Sequence, residues 1–173
     1  MGTLLERAQN PDDARTARAL ELTQFVVSEA VEGYLEAKLW TQYDELFPDA
    51  DNDLPEDIEG IDRSEHCERL DGFYSVDDID PRYIAEVRNE IVDFVTAHPL
   101  AVRLYLQKRT SGDFAHDFLL NRDGNGTGFW DRGLGTLGCC LSKWAEVYGA
   151  SDDLWDGALS DDPNFEPGRL YGA

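Results

Sequence analysis

The chain has 173 residues, and its 36 Asp and Glu residues outnumber its 15 Lys and Arg residues, so the formal net charge is −21. Nucleic-acid phosphates and anionic membrane surfaces are both bound through Lys and Arg, so this composition excludes them as direct partners. A chain of this length is expected to form a single domain, residues 1–173. No apolar run could span a bilayer and no secretory leader begins the chain, which favours a soluble cytoplasmic protein.

The type of charge supports two interpretations. The sequence contains 22 Asp and 14 Glu but only 3 Lys beside 12 Arg. Hydrated carboxylates keep a protein dispersed in concentrated salt, which predicts a salt-adapted host. Alternatively, the carboxylates imitate the phosphates of duplex DNA, since 21 charges match roughly ten base pairs.

Helical spacing of apolar residues predicts one helix over residues 12–47, or two helices joined near Gly33. Another face of this segment carries a first acidic stripe, formed by Glu29, Glu32 and Glu36. Residues 48–79 lose this periodicity and are rich in Asp, Pro and Gly, which predicts an irregular acidic segment. Residues 1–11 and 158–173 are interpreted as peripheral tails.

Within the irregular segment, Phe73 and Tyr74 are expected to anchor the chain on the core, because aromatic side chains bury large areas.

The Asp80–Pro81 pair predicts the start of a helix, because Asp caps free amide groups and Pro suits the first turn. That helix carries a second acidic stripe, formed by Glu86, Glu90 and Asp93. His98–Pro99 predicts its end and the start of another helix, which runs to Lys108–Arg109.

Residues 113–135, here called the motif segment, contain five glycines among Asp, Asn, Arg and aromatic residues. The Asp123–Gly124 and Asn125–Gly126 pairs predict a small β-hairpin near residues 118–131. A last helix is expected from about Thr136 to Tyr148, with short strands possible in the turn-rich tail. The predicted fold is an α-rich α+β domain of four or five helices around one core.

Two chemical interpretations of the motif segment stand beside the hairpin. Part of the segment follows the oxygen-ligand pattern of a calcium-binding loop, although Arg132 occupies the place of the final bidentate Glu. The calcium ligands would be Asn121, Asp123, Asn125, Thr127 and Asp131. No other cofactor or metal site is expected, because the three cysteines and three histidines lack ligand spacing.

The second interpretation is a small hydrolase-like site. His titrates near neutrality and can exchange protons with a neighbouring carboxylate. The acid–base residues would be His116, Asp117, Asp131 and Arg132. No nucleophile elbow, phosphate loop or dinucleotide fingerprint occurs in the chain, so a non-enzymatic protein is favoured.

The motif segment resembles a family of small, uncharacterised bacteriophage and mobile-element proteins with the run H-D-F-x-L-x-R-N-G-x-G-x-G-F-W-D-R-G. The matching positions are His116, Asp117, Phe118, Leu120, Arg122, Gly124, Gly126, Gly128, Phe129, Trp130, Asp131, Arg132 and Gly133. The chain departs from it at Leu119, Asp123 and Asn125, where relatives often carry Trp, Asn and His. The likeness extends from about residue 20 to about Leu154.

This resemblance implies an origin in a virus or plasmid and brings no catalytic residue with it. Together with the charge, it leads us to expect an accessory protein that binds a basic host protein, such as a nuclease or a component of a CRISPR or restriction system. The two acidic stripes are the expected contact surface. Within the motif segment, the residues of interest are Arg122, Asp123, Gly124, Gly126, Gly128, Trp130 and Asp131.

Overall fold

The computed structural model describes residues 11–42 and 69–172. The predictions for residues 1–10 and 43–68, including most of the irregular acidic segment, lie outside this part. The described residues group into two compact units. The helical unit comprises residues 11–34 and 84–151, and the strand unit comprises residues 35–42, 69–83 and 152–172. The single-domain organisation stays a prediction.

The fold is α-rich α+β, as predicted. The described α-helices are α1 (Pro11–Thr23), α2 (Val27–Thr41), α3 (Pro81–Ala97), α4 (Pro99–Tyr105), α5 (Ser111–Arg122) and α6 (Thr136–Ala145). Strands β1 (Leu154–Asp156) and β2 (Leu170–Gly172) pair antiparallel. No helix within residues 11–42 and 69–172 is long and apolar enough to cross a membrane.

Several helix boundaries follow from local chemistry. Asp80 accepts a hydrogen bond from the backbone N–H of Arg82 at 2.9 Å, which confirms the predicted cap of α3. Pro99 begins α4, also as predicted, whereas α4 ends at Tyr105 rather than at Arg109. The break between α1 and α2 falls at Gln24, not near Gly33, because Gln24 has a positive φ of 58°.

Gly33 lies inside α2, where the backbone of α5 approaches closely. A Cβ atom on Gly33 would lie 2.8 Å from the carbonyl oxygen of Gly112. Glycine is therefore required by the helix crossing rather than by a turn.

The predicted hairpin at 118–131 is wrong. Thr110 caps α5 in a reciprocal pair with Asp113, and the helix continues to Arg122. The Asp123–Gly124 pair ends this helix: Gly124 has φ of 68°, and the N–H of Asn125 donates to the carbonyl of Leu120 at 3.1 Å. That is the Schellman arrangement of a helix C-terminus, which uses the same positive-φ glycine as a hairpin turn.

The core of the helical unit is built from aromatic rings. Phe94 of α3 is fully buried and its ring centroid lies 5.2 Å from that of Phe118 and 5.5 Å from that of Phe114, both on α5. Phe129, in a short 3-10 turn, packs 5.0 Å from Phe114. Such edge and offset contacts add to the burial of large apolar surfaces, so α5 occupies the centre of this unit.

The strand unit has its own buried residues. Leu170 and Tyr171 of β2 are buried, so residues 158–173 are not wholly a peripheral tail, contrary to the prediction. The side-chain amide of Gln42 extends the pairing of β1, since it both donates to and accepts from the backbone of Leu154, at 2.6 and 2.9 Å. Lys38, which is buried, forms an ion pair with Asp153 at 3.3 Å.

The prediction that Phe73 and Tyr74 anchor the irregular segment is wrong for Phe73 and correct for Tyr74. Phe73 is 60% exposed and anchors nothing in the core. Tyr74 is half-buried, and its hydroxyl donates to Asp156 at 2.6 Å. Residues 70–72 and 76–78 form short 3-10 turns.

Candidate functional site

The motif segment begins within α5 and ends before α6, so its side chains are held by the helical core. On α5, Asp117 is 1% exposed. Its Oδ1 accepts bonds from Nε and Nη2 of Arg132 at 2.7 and 2.6 Å, and its Oδ2 accepts one from the hydroxyl of Tyr105 at 2.7 Å. These contacts connect the exit of the motif segment to two helices.

The protonation states in this cluster follow from its contacts. Burial alone would raise the pKa of Asp117, but the neighbouring His116, the hydrogen bonds from Arg132 and Tyr105, and the Arg132 charge lower it below its usual range. Burial and the bond to Asp117 raise the pKa of Tyr105. Asp117 is therefore held as a carboxylate, and Tyr105 as a neutral donor.

Arg122, at the end of α5, has several partners, as Asp117 does. Its Nη1 donates to Glu90 at 2.6 Å and to the hydroxyl of Tyr34 at 3.2 Å, and its Nε donates to the carbonyl of Gly149 at 2.8 Å. Its guanidinium carbon also lies 5.2 Å from the centre of the Phe118 ring. The Arg122 side chain thus connects α5 to α2, to α3 and to Gly149, which follows α6.

The remaining acidic residues of the motif segment are engaged locally. Asp123 accepts from the N–H and hydroxyl of Ser151, both at 2.7 Å. Asp131 accepts from the hydroxyl of Thr127 at 2.6 Å and from the N–H of Gly128 at 3.1 Å. The Thr127 bond and the Gly128 amide lower the pKa of Asp131, against a smaller opposing effect of burial.

The proposed calcium ligands are directed to different partners. Asn121 lies in the last turn of α5 and its amide donates to the carbonyl of Ser142 at 3.1 Å, while Asp123 and Asp131 bind Ser151 and Thr127. Within the described residues, no three His, Cys, Asp or Glu side chains are grouped to hold a metal ion. The helix through Arg122 differs from the loop conformation on which the calcium interpretation depends. Calcium binding itself stays untested.

The proposed acid–base residues are only partly brought together. His116 Nδ1 lies 4.0 Å from Asp117 Oδ1, and the His116 side chain is one-third exposed. Arg132 lies between the two carboxylates, with Nε 3.7 Å from Asp131 Oδ1. Both oxygens of Asp117 are occupied by Arg132 and Tyr105, which is the arrangement of a structural carboxylate.

Three members of the two acidic stripes have hydrogen-bond or ion-pair partners in the helical unit. Glu90 pairs with Arg122, Asp93 accepts from the Tyr148 hydroxyl at 2.7 Å, and Glu29 accepts from the N–H of Gly112 at 3.4 Å. Glu32, Glu36, Glu86 and Asp93 are exposed, whereas Glu29 and Glu90 are half-buried. Glu29, Glu90 and Asp93 therefore have structural partners that the helical spacing did not reveal.

Trp130 differs from the other large residues of the motif segment because it is 55% exposed, whereas its neighbour Phe129 is fully buried. Gly126 and Gly128 adopt positive φ on the approach to it.

The partners of Arg122 carried no sequence signal, since Tyr34 and Glu90 are 88 and 32 residues away.

Comparisons with known proteins leave these observations to stand on their own. No protein-family model matches the chain, and neither curated proteins nor solved structures contain a match.

Proposed function

We propose that this chain is a non-enzymatic acidic accessory protein of viral or plasmid origin, which binds a basic host protein such as a defence nuclease. The observation that carries the proposal is that the charged groups of the motif segment are engaged internally. Asp117 binds Arg132 and Tyr105, Arg122 and Asp123 bind other parts of the helical unit, and Asp131 binds Thr127 within the segment. Such residues stabilise a scaffold, which leaves the surface to carry recognition.

The excess of acidic residues is distributed unevenly along the chain. The described helical unit has 13 acidic and 9 basic residues, the described strand unit has 11 and 4, and residues 43–68 have 11 and 1. Electrostatic steering toward a basic partner depends on the electric field of all these charges together. In the helical unit, Glu32 and Glu86 are the exposed stripe members without a hydrogen-bond role described above, and Asp93 is exposed but bonded to Tyr148. Trp130 is an exposed aromatic side chain of the type that anchors protein interfaces.

Nuclease inhibition tests the proposal. Purified restriction endonucleases and CRISPR effector nucleases would be assayed for DNA cleavage with increasing amounts of the protein. We expect inhibition that additional duplex DNA relieves and that weakens steeply between 0.1 and 0.5 M salt, because an electrostatic interface is screened over about 10 Å at 0.1 M. Inhibition indifferent to salt, or none with any nuclease, contradicts it.

A charge-matched pair of variants separates the stripes from general acidity. Glu32→Gln with Glu86→Gln removes two exposed carboxylates from the helical unit, and Asp161→Asn with Asp162→Asn removes two exposed carboxylates near the end of the chain. If the stripes contact the partner, the first variant loses more inhibition than the second. Equal losses assign binding to overall charge, and Trp130→Ala tests the aromatic anchor in the same assay.

A further inference from the structure

A cavity of about 440 Å³ opens in the helical unit, away from the motif segment. One side is formed by the connection between α1 and α2, and the other by the stretch from the end of α4 to the start of α5. Leu22, Val26 and Leu106 supply aliphatic surface, whereas Arg103 and Arg109 supply positive charge. Eight of the eleven lining residues are polar or charged, so the cavity suits a small ligand that carries a charged group beside a short aliphatic part.

The positive charge of this cavity is unusual in so acidic a chain. Arg103 is exposed and Arg109 half-buried, and no ion pair among residues 11–42 and 69–172 includes either of them. Glu29 also lines the cavity and accepts a hydrogen bond from the N–H of Gly112 at 3.4 Å, so the two arginines and this carboxylate leave a net charge of +1 at the cavity. Two lining arginines that pair with no carboxylate among the described residues are suited to bind an oxyanion.

The backbone between α1 and α2 forms a fixed wall of the cavity. Gln24 lines the cavity with φ of 58° and is the one non-glycine residue with positive φ within the described ranges. Hydrogen bonds fix the residues beside it. Thr23 Oγ1 donates to the carbonyl of Ala19 at 2.8 Å, and the N–H of Val26 donates to Ser111 Oγ at 3.0 Å. Gln24 directly follows α1, where a left-handed residue ends many helices, so these contacts fix one wall of the cavity.

We propose that this cavity binds a small aliphatic anion, either a carboxylate or a phosphate monoester. Arg103 and Arg109 would bind the oxyanion, and Leu22, Val26 and Leu106 would contact the alkyl part. The lining contains no aromatic ring on which a flat base could stack, which favours an aliphatic body. This site is separate from the proposed function and does not depend on it.

Titration calorimetry with octanoate, octyl phosphate and octan-1-ol tests this proposal at about 0.15 M salt, where repulsion by the acidic surface is screened beyond about 8 Å. We expect at least one of the two anions to bind, and octan-1-ol to bind at least about tenfold more weakly, because it lacks the charge that pairs with the arginines. The tighter of the two anions identifies the head group. Absence of heat with both anions at millimolar concentration overturns the proposal, as does equal binding of the alcohol.

Variants locate the site. Arg103→Gln with Arg109→Gln should weaken anion binding by at least about tenfold. Arg88→Gln with Lys143→Gln, which removes the same charge from exposed positions on α3 and α6, should leave it unchanged. Equal weakening in the two variants overturns the assignment. If the double variant does not fold, Arg103→Gln alone serves, because Arg103 is exposed.

Discussion

At the scale of single residues, the motif segment is held by buried ionic contacts rather than by its turns. Asp117 shows this most clearly, because one carboxylate binds both Arg132 and Tyr105. The identities of Asp117 and Arg132 were evident in the sequence as parts of a distinctive run. Their pairing was not, because Asp117 and Arg132 are 15 positions apart and the chain between them follows a helix and then a glycine-rich return.

Replacing Asp117 with Asn should destabilise the protein by about 3 kcal/mol, because Arg132 then loses its buried carboxylate. The folded-state pKa of Asp117 is lowered, so its stabilising contribution is present above the unfolded value near 4 and is lost as pH falls through the folded value. Urea unfolding of both proteins at pH 7 and in acid measures this. Asp161→Asn, at an exposed position, is the control; equal effects of the two substitutions would contradict the prediction.

His98 is expected to make stability depend on pH nearer neutrality. Burial lowers its pKa below 6.5, against the opposing charge of Asp93, and its ring stacks on Trp144 at 4.1 Å. The folded state thus binds fewer protons than the unfolded state, and stability should decrease as pH falls from about 6.5. His98→Phe retains a ring over Trp144 without a titration. Thermal unfolding between pH 7 and 5 should show a smaller decrease for this variant, and an unchanged decrease would assign it to other groups.

At the scale of elements, the crossing of α2 and α5 positions the motif segment. Gly33 and Gly112 face each other there, but the space available to them differs. A Cβ on Gly33 would meet the backbone of Gly112 at 2.8 Å, while a Cβ on Gly112 would lie in ordinary contact with Glu29, at 3.5 Å or more. The crossing therefore tolerates a methyl group on one helix and not on the other.

Gly33→Ala should destabilise the protein by about 1–3 kcal/mol, because backbone atoms must move to accept the methyl group. Gly112→Ala should be neutral or stabilising by up to about 1 kcal/mol, since alanine favours a helix over glycine. Denaturant midpoints of the two variants against the parent protein provide the comparison. A Gly33→Ala variant as stable as Gly112→Ala would show that the helices do not cross so closely.

At the scale of the whole molecule, net charge has a consequence independent of any partner. A net charge of −21 opposes compaction through self-repulsion, and salt reduces that repulsion. We therefore expect the melting temperature at neutral pH to rise as sodium chloride increases from 0.1 to 1 M. Near pH 4.2, the pI of the sequence, the rise should largely vanish. An equal rise at both pH values would attribute it to general salt effects on burial.

The local features of this protein were evident from residue order. Asp80–Pro81 and His98–Pro99 mark helix boundaries through backbone chemistry that acts over a few residues, and the charge excess is a matter of composition. The expected hairpin failed because a positive-φ glycine serves a hairpin turn and a helix C-terminus equally, and the packing of Phe114 and Phe118 on Phe94 favours the helix. The contacts of Arg122 and the cavity beside Arg103 depend on segments far apart in the chain, whose approach arises from burial of a shared core and leaves no trace in local spacing.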